Sequence, residues 1–119
     1  MAHILVYNAH GKDDVERASL AFVIGNTALT AGQEATVVLT TEGVWLPTQG
    51  YTEGLQASGF APLGELVQKF LSSGGRLWAC GSCTKPRGIT QEHLIEGTQI
   101  VGAATIVEAI VNGAQTLSV

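Results

Sequence analysis

The chain has 119 residues, a formal net charge of −4 at neutral pH, 45% hydrophobic residues and 13% charged ones. That length predicts a single domain over residues 1–119, able to bury roughly two-thirds of its unfolded surface. The acidic balance argues against direct binding of nucleic acid or an acidic membrane surface, and no run approaches the roughly 18 apolar residues of a membrane span.

Typical soluble domains carry about 25% charged residues. The shortfall predicts that other subunits cover part of the surface, so a homo-oligomer is expected. The start, Met1-Ala2-His3-Ile4-Leu5-Val6, lacks the basic segment and long apolar run of a signal peptide, so a cytoplasmic location is the default expectation. In that compartment two cysteines are expected to be reduced thiols or a redox pair, not a structural staple.

In chain order, His3 to Asn8 is a short apolar, partly β-branched run, the pattern of a strand buried on both faces. Asp13 or Asp14 then caps a helix reaching about Ala31, with Gly32 suited to end it. Its apolar stripe, Ala18, Ala21, Phe22, Gly25, Ala28 and Leu29, is widened by Leu20, Val23, Ile24 and Thr27. Ala35 to Thr40 reads as a second strand. Thr41 to Gly59 is polar and Gly-rich, a lid or a partner surface, but carries Val44, Trp45, Leu46 and Tyr51. Pro62 to Leu71 is a second helix stopped by Gly74-Gly75, and Leu77 to Cys80 a third strand. After a cysteine loop come a helical turn at Thr90 to Ile95, a fourth strand at Thr98 to Val101, a helix at Ala103 to Val111 and a fifth strand at Gln115 to Val119.

Strands alternating with helices predict an α/β fold: a three-layer flavodoxin-like sandwich on a five-stranded, mainly parallel sheet. The expected strand order is 2-1-3-4-5. That order makes strands 1 and 3 neighbours and brings His10, Lys12 and Asp13 towards Cys80 and Cys83 in one crevice at the carboxyl edge.

Both cysteines lie in Cys80-Gly81-Ser82-Cys83, followed by Lys85 and Arg87. A thiolate is the reactive form of cysteine, and nearby cations or free backbone N–H groups favour it. The loop is therefore the candidate active site, with Cys80 and Cys83 as nucleophilic thiols, Lys85 and Arg87 as their stabilising charges, and His10 as a base or ion-pair partner. A thioredoxin-type dithiol is disfavoured by position, because that motif follows an early strand and opens a long helix, whereas Pro86 and Gly88 interrupt one here. A closed zinc site needs four ligands, and only Cys80, Cys83, His10 and His93 are on offer. The loop after strand 1 has neither glycine-rich nucleotide signature. No cofactor and no metal are expected.

The run Cys80-Gly81-Ser82-Cys83-Thr84-Lys85-Pro86-Arg87-Gly88-Ile89, with Leu94-Ile95-Glu96-Gly97 after it, resembles the DsrE/DsrF-like proteins, particularly their YchN-like branch. Asn8 to Asp14, Ala31 to Leu39 and Glu42-Gly43-Val44 extend the resemblance over most of the chain. It implies a small flavodoxin-like subunit forming trimers or hexamers, and a cytoplasmic sulfur carrier taking a persulfide from a donor protein and passing it to an acceptor. Seven residues before Arg87-Gly88, Cys80 matches the sulfur-carrying cysteine of the relay subunits. Cys83 is shared with the YchN-like branch, where it would resolve the persulfide or respond to redox state. His10 has no counterpart in the family pattern. The alternative is an oligomeric, non-enzymatic binding or redox-responsive regulatory module of the same fold.

Overall fold

The computed structural model describes residues 1–119. Strands β1 (His3–Asn8), β2 (Glu34–Leu39), β3 (Arg76–Cys80), β4 (Thr98–Val101) and β5 (Gln115–Ser118) form one sheet in which every neighbouring pair is parallel. The helices are α1 (Val15–Thr30), α2 (Leu63–Ser72), the single turn α3 (Gly81–Thr84) and α4 (Ala103–Val111). Asp14 caps α1 by accepting the Arg17 amide at 3.0 Å, with Glu16 adding negative charge to the first turn. Gly32 takes the left-handed φ of +81° that lets the chain turn back towards β2.

The α/β sandwich is the expected one, but the strand order is β4-β3-β2-β1-β5, not 2-1-3-4-5. The cause is the pairing of α1 with α2. Phe22 and Phe70 meet edge to face with centroids 5.7 Å apart, both fully buried. Gly25 sits under the Phe70 ring, where a Cβ would fall 2.8 Å from it. Two helices packed together occupy one face of the sheet. Right-handed crossovers on one face must step in one direction, so β1, β2 and β3 follow each other and β2 separates β1 from β3. Only α4 returns over the opposite face, placing β5 beside β1.

Each face therefore has its own core. Val6, Val37, Leu39, Leu77 and Ala79 point to the α1/α2 side with Ala18, Phe22, Val67 and Phe70. Leu5, Val38 and Val101 point to the α4 side, with Ile106. That second side is thinly covered. Val107, Val111 and Ile110 on α4 are 57%, 77% and 42% exposed.

The polar segment after β2 is built into the domain. A 3-10 turn at Thr41–Trp45 buries Val44 completely and Leu46 to 1% exposure. Beyond it, the Ile95 amide donates to Pro47 O at 2.8 Å, the Gln49 amide donates to His93 O at 3.0 Å, and Thr48 pairs with Leu94. These contacts fasten residues 47–49 to residues 93–95, and Glu42 ties the start of the segment to Arg87 of the cysteine loop.

Candidate functional site

The chain leaves β3 towards α1 and α2, as the packing of Cys83, Ile89 and Leu94 on that core shows. It leaves the adjacent β4 into α4 on the other side. Connections departing to opposite faces from neighbouring strands open a crevice at their carboxyl ends, and such crevices are where open α/β sheets place their sites. Cys80 and Val101, paired in register, are the two residues at that point. The topological switch thus lies between β3 and β4, not between strands 1 and 3 as expected, and only the cysteine loop occupies it.

Cys80 ends β3 in an extended conformation and is the residue before the first turn of α3, with Cys83 at the third helical position. Gly81 lets this turn approach β4, since a Cβ there would stand 3.3 Å from Val101 O. Thr84 is buried and donates to Gly81 O at 3.2 Å, while the Ile89 amide closes the loop on Thr84 O at 3.1 Å. Gly88 takes a φ of +69° to make that closure.

Both cysteines are free thiols, and they face opposite ways. Strand alternation puts Cys80 on the side of Trp78, the α4 side, where it is 9% exposed. Cys83 is half-buried and packs against the α1/α2 core. Tyr7 shares the side of Cys80. Burial, and then the negative charge of a Cys80 thiolate, hold the Tyr7 phenol above its ordinary 10.0.

The expected charges are arranged differently from the sequence reading. Arg87 Nε and Nη2 each lie 3.0 Å from Glu42 Oε2, and Nη1 donates to Cys83 O at 3.0 Å. This guanidinium ties the loop to the segment after β2 through a carboxylate and a backbone carbonyl. Lys85 is exposed. His10 Nδ1 is 2.8 Å from Asp13 Oδ2, and the Gly11 amide donates to Asp13 Oδ1 at 2.7 Å. The hydrogen bond from His10 and then that from the Gly11 amide hold the Asp13 carboxyl below its usual range. His10 and Asp13 therefore pair with each other, and the β2 strand stands between their loop and the cysteines.

Three residues outside the sequence expectation organise the site. Asn8, fully buried, donates to His10 O and accepts the His10 amide, both at 3.0 Å, which sets the turn after β1. Thr41 adopts a positive φ of 47°, strained for a β-branched residue, and donates to Ala9 O at 2.8 Å. Glu42 anchors Arg87. Asn8 and Glu42 fall in segments that carry the family resemblance, but nothing in the sequence assigns any of the three these contacts.

Beside Arg87 lies a recess of about 310 Å³ walled by Trp45, Gln49, Ile89 and His93. Trp45 is stacked on Tyr51 with centroids 6.4 Å apart, and Lys12 Nζ sits 4.6 Å over the Tyr51 ring. His93 Nδ1 accepts the Thr90 amide at 3.0 Å, closing a capping box from the third position of the turn. A larger recess, about 510 Å³, opens at the amino edge among His3, Glu34, Arg76, Trp78 and Glu108. It lies at the opposite end of the strands from the cysteines, so it is separate from this chemistry. Nowhere do three His, Cys, Asp or Glu side chains gather in a metal-binding group. No helix is long and apolar enough to cross a membrane.

A profile of the DsrE/DsrF-like family matches residues 2–119. The chain belongs to the DsrE/DsrF-like family. It is 30% identical over 102 residues to the uncharacterized protein MJ0760 of Methanocaldococcus jannaschii, covering 86% of this chain and 37% of that one. It is 33% identical over 85 residues to the uncharacterized protein MK0008 of Methanopyrus kandleri, covering 71% and 67% of the two chains. The chain thus spans little more than a third of the first relative. Among solved structures, MTH1491 of Methanobacterium thermoautotrophicum, a protein of unknown function, superposes with a TM-score of 0.78 at 16% identity over the whole of both chains. The YchN protein of E. coli superposes with a TM-score of 0.71 at 15% identity, over 100% of this chain and 99% of that one. At these identities the two structures share the fold of the DsrE/DsrF-like domain.

Proposed function

We propose that this DsrE/DsrF-like protein is a sulfur carrier that holds sulfane sulfur as a persulfide on Cys80, between a donor and an acceptor protein of a cytoplasmic sulfur relay. The observation that carries the reading is the position of Cys80: last residue of β3, at the topological switch, and cap of the helical turn that begins at Gly81.

The chemistry is balanced by thiols alone. The Cys80 thiolate attacks the terminal sulfur of a donor persulfide; the new S–S bond forms as the donor's S–S bond breaks, and the donor leaves as a thiolate. An acceptor thiolate repeats the step on the terminal sulfur of Cys80, which departs as a thiolate in turn. Were Cys83 to attack Cys80 Sγ instead, hydrosulfide would leave and a disulfide would close. Cys83 packs on the far side of the sheet from Cys80, which favours Cys80 as the carrying thiol and disfavours that discharge.

Delivery from protein to protein suits a nearly buried cysteine, because a terminal sulfur stands about 2 Å farther out than Sγ. The exposed α4 face supports self-association into trimers or hexamers, with Val107, Ile110 and Val111 as subunit contacts. The test is incubation with inorganic polysulfide followed by intact mass. A gain of one sulfur atom supports the carrier; no gain defeats it.

A further inference from the structure

The tyrosine on the first strand and the carrying cysteine on the third share one side of the sheet. Alternation puts His3, Leu5 and Tyr7 of β1, Thr36 and Val38 of β2, and Arg76, Trp78 and Cys80 of β3 on the α4 side. Tyr7 packs against that core with Trp78. The register runs Tyr7 to Val38 to Trp78, so Cys80 lies two strands across and two residues nearer the carboxyl edge. Strands two apart are separated by roughly 9.5 Å and two residues along a strand by roughly 6.7 Å, so the two Cα atoms stand roughly 12 Å apart, a span that a phenol and a persulfide leaning towards each other can close. The strand between them presents the buried aliphatic Val38 level with Tyr7, and the half-buried Thr40 follows it on the same side.

We propose that Tyr7 is the residue that holds sulfur on Cys80, its hydroxyl donating a hydrogen bond to the terminal sulfur of the persulfide once Cys80 is loaded. This rests on the carrier reading above. Of the donors expected from sequence, Arg87 is engaged with Glu42 and Cys83 O and His10 with Asp13, while Lys85 is exposed. Trp78 lines the recess at the opposite edge. The Tyr7 phenol is shaped by burial and by the Cys80 charge, with no hydrogen bond to another group of the chain contributing.

The chemistry suits a carrier. A phenol whose ionisation is pushed upwards stays protonated at neutral pH and remains a donor. A neutral donor steadies the terminal sulfur without the full ion pairing of a cation, so the sulfur is held yet stays open to attack by an acceptor thiolate. As the added sulfur lies about 2 Å beyond Sγ, it extends out of the sheet to the height at which an aromatic side chain carries its hydroxyl.

The other titratable groups on this side are His3, Glu34, Arg76 and Glu108, which gather at the amino edge, and β5 contributes only Thr116 and Ser118. The phenol titration is therefore a clean reporter of Cys80. In the full chain labelled with 13Cζ-tyrosine, Tyr51→Phe assigns the two signals. Replacing Cys80→Ala should lower the Tyr7 midpoint and leave Tyr51 unmoved; an unmoved Tyr7 midpoint overturns the pairing. Separately, Cys83→Ser protein is loaded with inorganic polysulfide. Adding Tyr7→Phe should shorten the persulfide half-life three- to tenfold with the thermal midpoint held; an unchanged half-life overturns the role. If Tyr7→Phe fails to fold, the titration in Cys80→Ala protein still decides the pairing. If wild-type protein takes up no sulfur at all, the carrier reading falls while the titration still decides whether Tyr7 faces a Cys80 thiolate.

Discussion

Arg87 and Glu42 are joined by two contacts of 3.0 Å to one carboxylate oxygen, and the third nitrogen of the same guanidinium donates to the Cys83 carbonyl. The pair is partly exposed, 27% and 50%, so water screens it and the ion pair alone is worth under about 1 kcal/mol. Its structural effect is larger than its energy, because it closes the cysteine loop onto the turn after β2. Arg87→Ala should lower stability by about 1 kcal/mol in urea unfolding and speed alkylation of Cys83, whose carbonyl loses its donor. Glu42→Gln, which keeps an acceptor, should cost about half as much.

Stability should fall in two stages on the acid side. His3 is held below its usual 6.5 by burial, offset in part by Glu34 and reinforced by Arg76. The folded state thus resists a proton that the unfolded state accepts once pH drops past 6.5, and stability declines from there downwards. Asp13 is depressed in the folded state, so its contribution is present above about 3.8 and is lost as pH falls through the lower folded value. Urea midpoints measured from pH 8 to pH 3 should show both stages. His3→Gln should flatten the upper one and Asp13→Asn the lower.

Gly43 is a packing requirement. A Cβ at this position would fall 2.5 Å from the carbonyl oxygen of Asn8, which is strand backbone and has little room to give. Gly43→Ala should destabilise by roughly 1–3 kcal/mol, read as a thermal midpoint lower by several degrees. Gly32→Ala also strains the backbone, through its positive φ of +81°, but nothing lies within 4 Å of its would-be Cβ. Its loss should leave the cysteine-loop chemistry intact.

The elements were legible because each carries its own local signal: apolar runs for β1 and β2, a cap at Asp14, a helical stripe through Leu63, Val67 and Phe70. Their order was not. Phe22 and Phe70 each read as core residues, and nothing local says that they touch each other. That contact puts α1 and α2 on one face and moves the switch point to Cys80. The same gap hid the site's wiring. A spacing of three does not reveal that Cys80 and Cys83 face opposite sides, and a lone Glu42 in a polar segment gives no hint that Arg87 will bind it rather than a thiol. Tyr7 was visible only as strand residue; its partnership with Cys80 needs the register across β2.

The α4 face gives a test of self-association. Val107, Ile110 and Val111 leave apolar surface in water on a helix that is the sole cover of its side of the sheet. Light scattering should give a mass of three or six chains for the wild type. Val111→Asp, at a position 77% exposed in the single chain, should lower that mass with helix content preserved. A monomeric wild type would contradict the assembly.

The most direct test is the location of the sulfur. Wild-type, Cys80→Ser and Cys83→Ser proteins are incubated with inorganic polysulfide, blocked with an alkylating agent and analysed by intact mass and peptide mapping. One added sulfur atom on Cys80 in wild-type and Cys83→Ser protein, and none in Cys80→Ser, is the predicted result. Equal loading of the two variants, or sulfur found on Cys83 alone, would contradict the account.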